Sequence, residues 1–200
     1  MVTGEQWYQL WEGSASDLPA LVPVDGGFST EWVLLLERRG GASEQTIELR
    51  WRSVKPPGSL RGSPAPGEAA AELEELREQL RRSERLLIAG VEGRPTGYLM
   101  LGRNWNRTAE IALIIIDAAY RGRGLGARFV REAEAFARER GLRAIQWEAQ
   151  NDNRNALEFA LAHGFRIAGF HDAFYNNRDA ERQTAADFHG IAVFLTKELD

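Results

Sequence analysis

Residues able to do chemistry gather in one stretch. Arg121-Gly122-Arg123-Gly124-Leu125-Gly126-Ala127 comes shortly after an apolar run (Ile111, Leu113, Ile114, Ile115, Ile116) that stops at Asp117, and it opens a helical pattern. That order reads as strand, glycine loop, helix. Alternate glycines let the backbone adopt conformations closed to other residues, so successive N–H groups can crowd around one bound group. The helix start adds unpaired N–H groups and the positive end of its dipole, while Arg121 and Arg123 add two cations. The expected ligand is an anion, most simply a phosphate.

Spacing separates the phosphate loops that could be meant. A Walker A loop requires Gly-x-x-x-x-Gly-Lys-Ser/Thr, whereas Gly126 is followed here by Ala127 and Arg128. Gly122-x-Gly124-x-x-Ala127 meets the dinucleotide fingerprint literally, and Glu148 lies about 20 residues on, where a ribose-binding acid belongs. Too little chain follows Glu148, however, for the run of strand-helix units that such a fold needs. A third form, Arg/Gln-x-x-Gly-x-Gly/Ala, is met by Arg121, Gly124 and Gly126. It resembles the acetyl-CoA signature of the GNAT superfamily of N-acetyltransferases, in which this loop holds the CoA pyrophosphate. The resemblance implies CoA contacts from Arg121, Gly122, Arg123, Gly124, Leu125, Gly126 and Ala127. A plain glycine-rich turn is the bland alternative.

Two flanking stretches extend the likeness. Gly102-Arg103-Asn104-Trp105-Asn106-Arg107, and Trp147-Glu148-Ala149-Gln150-Asn151-Asp152-Asn153 with Ala156, Phe159, Gly164 and Phe165 beyond, resemble the streptothricin acetyltransferase branch of that superfamily in order and spacing. In the wider family the residue matching Asn153 helps to hold CoA, with Ala156 beside it. Two departures concern the chemistry. The branch carries an acidic pair where this chain has Ala112 and Leu113, with Glu110 two or three residues out of register. The wider family also places a tyrosine, the acid for the departing sulfur, where this chain has Ala160.

The implied reaction sets its own requirements. An alkyl amine with a pKa of about 10.4 is only about one part in a few thousand neutral at pH 7, so a proton acceptor is needed. Glu148, at the end of the strand flanking the cofactor, is the first candidate and Glu110 the second; a strand carboxylate paired with an arginine is the plainer reading of Glu148. The backbone of Ile114, Ile115 and Ile116 is the candidate donor to the developing oxyanion, if this strand splays from its neighbour as in the family. Tyr175 is the candidate acid in place of the missing tyrosine, against a plain core or rim role.

The elements that must position these residues can be read in outline. The first 26 residues suggest a short helix or extended cover. Residues 28–38 and 46–54 form a hairpin around Gly40-Gly41-Ala42-Ser43, with Ile47, Leu49 and Trp51 alternating with Glu48, Arg50 and Arg52. Residues 56–67, rich in proline and glycine, read as a loop. Residues 68–85 are helical, and 86–91 and 96–101 are strands about a turn. A helix follows the glycine loop and stops at Gly141, 144–149 is a strand, and another helix closes at Gly164. Strands at 165–174 and 191–197 end the chain; the continuous apolar run of the latter implies burial on both sides or a subunit contact, as in a homodimer. The expected fold is therefore α/β of GNAT type, a mixed and mostly antiparallel sheet flanked by helices and splayed at the acetyl-CoA site. It would be a single domain, with 1–67 as cover, hairpin and loop and 68–200 as the acetyltransferase core.

Composition narrows the function. Two hundred residues, 44% hydrophobic with six tryptophans, suffice for one ordinary domain. A net charge of −4 and a pI near 5.6 provide no basic field to recruit nucleic acid or an anionic membrane. With no cysteine there is no disulfide, thiolate metal site or cysteine nucleophile, and His163, His171 and His189 are too scattered for a metal site. No membrane span or signal peptide is visible, which makes a cytoplasmic location the default expectation. The leading expectation is transfer of acetyl from acetyl-CoA, without a metal, to a primary amine on an aminoglycoside-like antibiotic, another small molecule, or a protein or peptide. A non-catalytic acyl-CoA-binding module and a nicotinamide-dinucleotide enzyme are the alternatives.

Overall fold

The computed structural model describes residues 7–41, 43–60, 68–175 and 190–199. Two compact units, each discontinuous in sequence, make up the chain: Met1–Gly27, Arg61–Trp147 and Thr196–Asp200 form the first, Phe28–Leu60 and Glu148–Leu195 the second.

In the first unit, strand β1 (Gln9–Glu12) pairs antiparallel with β4 (Arg85–Val91), β4 with β5 (Arg94–Arg103), and β5 with β6 (Thr108–Ile116). β7 (Ala144–Gln150) joins β6 in parallel, and the end of β9 (Ala192–Glu198) follows it. The β4–β5 turn has two residues of positive φ, Glu92 at 50° and Gly93 at 76°, the primed geometry whose twist suits a tight hairpin. The cover expected at the N-terminus is β1 followed by the one-turn helix α1 (Leu18–Leu21). Leu18, Leu21 and Val24 are buried in a cluster with Leu76, Leu86, Ile88, Tyr98 and Met100. Leu73 and Leu80 of helix α2 (Ala69–Arg82) pack on the same cluster, while its other face is solvated by surface pairs such as Arg77–Glu74. Ala112 and Leu113, where the streptothricin branch has acids, also lie against this cluster.

Helix α3 (Leu125–Glu139) buries Leu125, Phe129, Val130, Ala133, Phe136 and Ala137, a stripe at helical spacing. It ends as the sequence signals. Gly141, at φ 61°, donates to the Arg138 carbonyl and Leu142 to that of Ala137, a Schellman closure that satisfies two orphan carbonyls.

In the second unit, β2 (Phe28–Gly41) and β3 (Glu44–Leu60) form a two-stranded antiparallel ribbon. The hairpin is as expected but longer, and here the structure corrects the sequence reading: residues 56–60 are strand rather than loop, with Gly58, Ser59 and Leu60 opposite Thr30, Ser29 and Phe28. Proline is tolerated because both strands of a two-stranded ribbon are edges, where a missing N–H breaks no interior ladder, and the register shifts between Thr30 and Trp32. The remainder of the expected loop, 61–67, lies outside the described residues. The end of β7 and the start of β9 belong to this unit, and β8 (Arg166–His171) pairs beside β9. β9 is thus an interior strand, which accounts for its apolar run. Helix α4 (Arg154–Ala162) closes like α3, with Gly164 (φ 84°) donating to Leu161 and Phe165 to Ala160. Arg154 bonds Glu158 and lies over the rings of Trp32 and Trp51, at 5.0 and 5.3 Å.

Candidate functional site

The glycine loop is held from below by backbone carbonyls and carboxylates. Asp117 ends β6 and caps the short 3-10 turn Ala118–Tyr120, accepting from the Ala119 N–H at 2.9 Å through one oxygen and from the Asp25 N–H at 3.4 Å through the other. Arg121 donates from Nε to the Ile116 carbonyl at 2.9 Å and from its terminal nitrogen to the Asp25 carbonyl at 3.2 Å. Arg121 therefore does structural work in the loop beside the cationic role expected of it. Trp7, which the sequence reading left in the cover, stacks on Tyr120 at 5.5 Å and donates from its indole N–H to the Arg123 carbonyl at 3.1 Å. The Arg123 guanidinium lies near both rings, at 5.8 and 5.4 Å.

Above this base the backbone has the shape an anion needs. Gly122 and Gly124 have φ of 73° and 85°, in the left-handed region that L side chains rarely enter, and no atom within 4 Å would meet a Cβ at either. Gly124 is the N-cap of α3 and has no side chain to offer the helix, whose first turn contains no acid. The N–H groups of Leu125, Gly126 and Ala127 are thus left to a ligand at the positive end of a 15-residue helix. These residues fit a phosphate.

The strand beside the loop directs amides the same way. The β6–β7 pairing runs from Thr108↔Ala144 to Ile111↔Trp147, while β6 stays paired to β5 up to Ile116. Asp117 donates to the Thr96 carbonyl of the β5 side, and N–H directions alternate along a strand. Ile115 therefore faces β5, while Ile114 and Ile116 direct their N–H groups the other way; the Ile116 carbonyl taken by Arg121 points to that same side. Glu110, the second candidate base, is exposed and six residues before Ile116, about 20 Å along the strand.

The first candidate base lies in the second unit. Glu148 is half-buried near the end of β7, and the phenol O–H of Tyr175 donates to its Oε1. Burial pushes the Glu148 carboxyl above the ordinary glutamate range, and the Tyr175 hydrogen bond opposes this in part. The structure thus brings together Glu148 and Tyr175, two residues 27 apart in the chain. Asn153 caps α4, its Oδ1 accepting from the Ala156 N–H at 3.1 Å, so the pair expected to meet CoA also builds the helix start. Ala160 is fully buried.

Two neighbours in the same turn, named in the sequence only as part of the stretch that resembles the streptothricin branch, have roles that the sequence reading did not assign. Asn151 is buried and ties β2 to the start of β9, donating to the Leu34 carbonyl at 3.1 Å and accepting from the Ile191 N–H at 2.9 Å. Asp152 is 1% exposed, and among the described residues neither of its carboxylate oxygens has a hydrogen-bond partner. Burial raises its pKa from 3.8 to about 6.

This carboxylate carries a stability prediction. Its pKa is raised in the folded state, so folding favours the proton: the stabilisation is full below pH 4 and is lost as pH rises through about 6. That interval corresponds to roughly 3 kcal/mol, some of which a buried amide would forfeit through its own unmet hydrogen bonds. Asp152→Asn is expected to raise the melting temperature at pH 7.5 by about 5 °C and to give no gain at pH 4. Thermal melts at the two pH values check it; an equal change at both would mean that the charge is not what costs stability.

A family model described as acetyltransferase (GNAT) family matches residues 48–165. The chain belongs to the acetyltransferase (GNAT) family. It is accordingly an acyltransferase, and the resemblance read from the glycine loop and its flanking stretches identifies the same family. The streptothricin acetyltransferase of Streptomyces lavendulae is 27% identical over 183 residues, 89% of this chain and 92% of that protein. The N-alpha-acetyltransferase RimI of Mycobacterium tuberculosis is 34% identical over 88 residues, covering 44% of this chain and 54% of the other. The crystal structure of nourseothricin acetyltransferase matches with a TM-score of 0.74 at 23% identity, over 98% of this chain and 100% of that one. A Bacillus anthracis protein of streptothricin acetyltransferase type, solved in complex with acetyl coenzyme A, matches with a TM-score of 0.72 at 24% identity, over 96% and 98%. At these identities the two structures show the fold: a GNAT-like mixed sheet, mostly antiparallel, with flanking helices. Among the described residues no cluster of histidine, aspartate or glutamate is placed to hold a metal, and no helix is long and apolar enough to cross a membrane.

Proposed function

We propose that this GNAT protein transfers the acetyl group of acetyl-CoA to a primary amine by direct attack, with Glu148 as the proton acceptor. The observation that carries the reading is the loop: two left-handed glycines, after β6 and its 3-10 turn, leading into an uncapped helix start. Acetyl-CoA supplies the acyl group when bound, its pyrophosphate held by the N–H groups from Gly122 to Ala127. The N–H groups of Ile114 and Ile116 supply donors where negative charge develops on the acetyl oxygen. Glu148, desolvated and so a stronger base than an exposed glutamate, receives the proton that the amine must lose.

The acceptor is best sought among small amines. The relative named for streptothricin covers nearly the whole of this chain, whereas the one named as an N-alpha-acetyltransferase covers less than half. Ala112 and Leu113, packed on the core where that branch has acids, argue that the acceptor differs from streptothricin itself. The test is release of free CoA from acetyl-CoA across antibiotics, polyamines, lysine peptides and protein N-termini. Turnover is expected with at least one small polyamine or amino-sugar. The buried Ala160 in place of the family's tyrosine favours one rival, a non-catalytic acyl-CoA binder. Acetyl-CoA binding with no turnover across the whole panel would establish that rival.

A further inference from the structure

We propose that Trp7 is a positioning residue for the glycine loop, holding the Arg123–Gly124 peptide in the orientation that turns the Gly124 N–H toward the diphosphate of acetyl-CoA. This rests on the acetyltransferase reading and deepens it. Trp7 and the loop belong to the same compact unit, although 116 residues separate Trp7 from Arg123. The loop's own residues leave this peptide free to turn. Arg121 ties the entry through its bonds to the Ile116 and Asp25 carbonyls, and α3 ties the exit, where the Arg128 N–H donates to the Gly124 carbonyl at 3.1 Å. Arg123 stands between these anchors, with Gly122 at φ 73° before it and Gly124 at 85° after it. Glycine enters positive and negative φ about equally, so rotating the Arg123–Gly124 peptide escapes the steric cost that a Cβ would impose.

A tertiary contact selects one orientation. The Trp7 indole N–H donates to the Arg123 carbonyl at 3.1 Å. The C=O and N–H of a trans peptide point in opposite directions, so drawing this carbonyl to Trp7 turns the Gly124 N–H to the other side. There it adds a donor to the free N–H groups at the start of α3. A flipped peptide would instead present a carbonyl oxygen to an anion, so a diphosphate binds the unflipped state and its apparent affinity falls with that state's population. Trp7 is itself fixed from two directions. Its ring stacks on Tyr120 with centroids 5.5 Å apart and planes 10° apart, and the Tyr120 N–H closes the 3-10 turn on the Asp117 carbonyl at 2.8 Å. Two residues beyond Trp7, Gln9 pairs with Gly90 of β4. The Arg123 guanidinium lies over the rings of Trp7 and Tyr120, so residue 123 is held by its side chain as well as by its carbonyl.

The test uses Trp7→Phe, which keeps an aromatic ring against Tyr120 and removes the indole N–H. In a calorimetric titration with CoA its dissociation constant is expected to rise about fivefold, the effect of one net hydrogen bond, and that of Trp7→Ala, which also loses the stack, by about tenfold or more. A role confined to anchoring the start of the chain would lower the unliganded melting temperature and leave the dissociation constant alone. A constant within about twofold of wild type in Trp7→Phe would therefore overturn the proposal, whatever the melting temperature does. With an amine that wild type acetylates, the loss should appear in the KM for acetyl-CoA and be absent from the KM for acetyl-pantetheine, the same thioester without diphosphate or nucleotide. Equal rises for the two donors would overturn the proposal, because the diphosphate would then not be what Trp7 serves. A wild type that binds no CoA would overturn the acetyltransferase reading along with it, whereas wild-type binding that Trp7→Phe leaves undiminished would overturn the proposal alone.

Discussion

Glu148→Gln is expected to lower turnover at pH 7 by about 10²-fold or more while leaving acetyl-CoA affinity within about twofold of wild type. The amide keeps the shape of the side chain and can still receive the Tyr175 hydrogen bond at its carbonyl oxygen, so the local fold should survive. What it loses is the capacity to take a proton. The pH dependence follows from the direction of the shift. Burial places the Glu148 carboxyl above the ordinary glutamate range, so wild-type kcat should fall as pH drops through that raised pKa, where the carboxyl becomes protonated and cannot accept. At high pH the amine deprotonates without help, and the gap between variant and wild type should narrow. Steady-state rates from pH 5.5 to 9.5 check both limbs. Normal rates in the variant at pH 7 would leave Glu148 as a structural partner of Tyr175.

Gly124→Val should abolish acetyl-CoA binding, read as loss of the ligand-induced rise in melting temperature. A ligand present at one hundred times its dissociation constant and bound only by the native state stabilises by about 2.7 kcal/mol, or roughly 5–10 °C for a chain of this size. Valine would have to hold φ at 85°, which a β-branched residue can do only with strain on the order of 1–3 kcal/mol. No atom stands within 4 Å of the added Cβ, so the core is untouched and the effect is one of backbone conformation at the helix start. That strain should itself lower the unliganded melting temperature, so the readout is the ligand-induced rise measured within each variant. Gly124→Asn is the matching control, since asparagine enters the left-handed region more readily, and it should retain part of the shift. A full shift in Gly124→Val would place the phosphate elsewhere than at the start of α3.

Much of the fold was legible because its signals are local. The alternation of Ile47, Leu49 and Trp51 with Glu48, Arg50 and Arg52, the stripe on α3, and the stops at Gly141 and Gly164 are patterns of near neighbours, two to four residues apart, and each element formed. Residues 56–60 were misread for a tertiary reason. Proline and glycine end a strand that is interior to a sheet, but in a two-stranded ribbon every strand is an edge, and the strand count is not written in its own residues. Trp7 escaped notice likewise: its partners, Tyr120 and the Arg123 carbonyl, lie more than a hundred residues away.

By itself the amino-acid order pointed to the glycine loop and, through it, the family. Left-handed glycines, an uncapped helix start and the arginine three residues before Gly124 follow from residue type at fixed short spacing. Tertiary structure alone decided which side chains are desolvated and which are joined. Glu148 meets Tyr175 across 27 residues, Asp152 is enclosed with neither oxygen bonded among the described residues, Arg121 turns two of its nitrogens to backbone carbonyls, and Glu110 stands exposed far along its strand. The physical reason is that proton affinity depends on burial and on partners brought from elsewhere in the chain, neither of which is a property of local spacing.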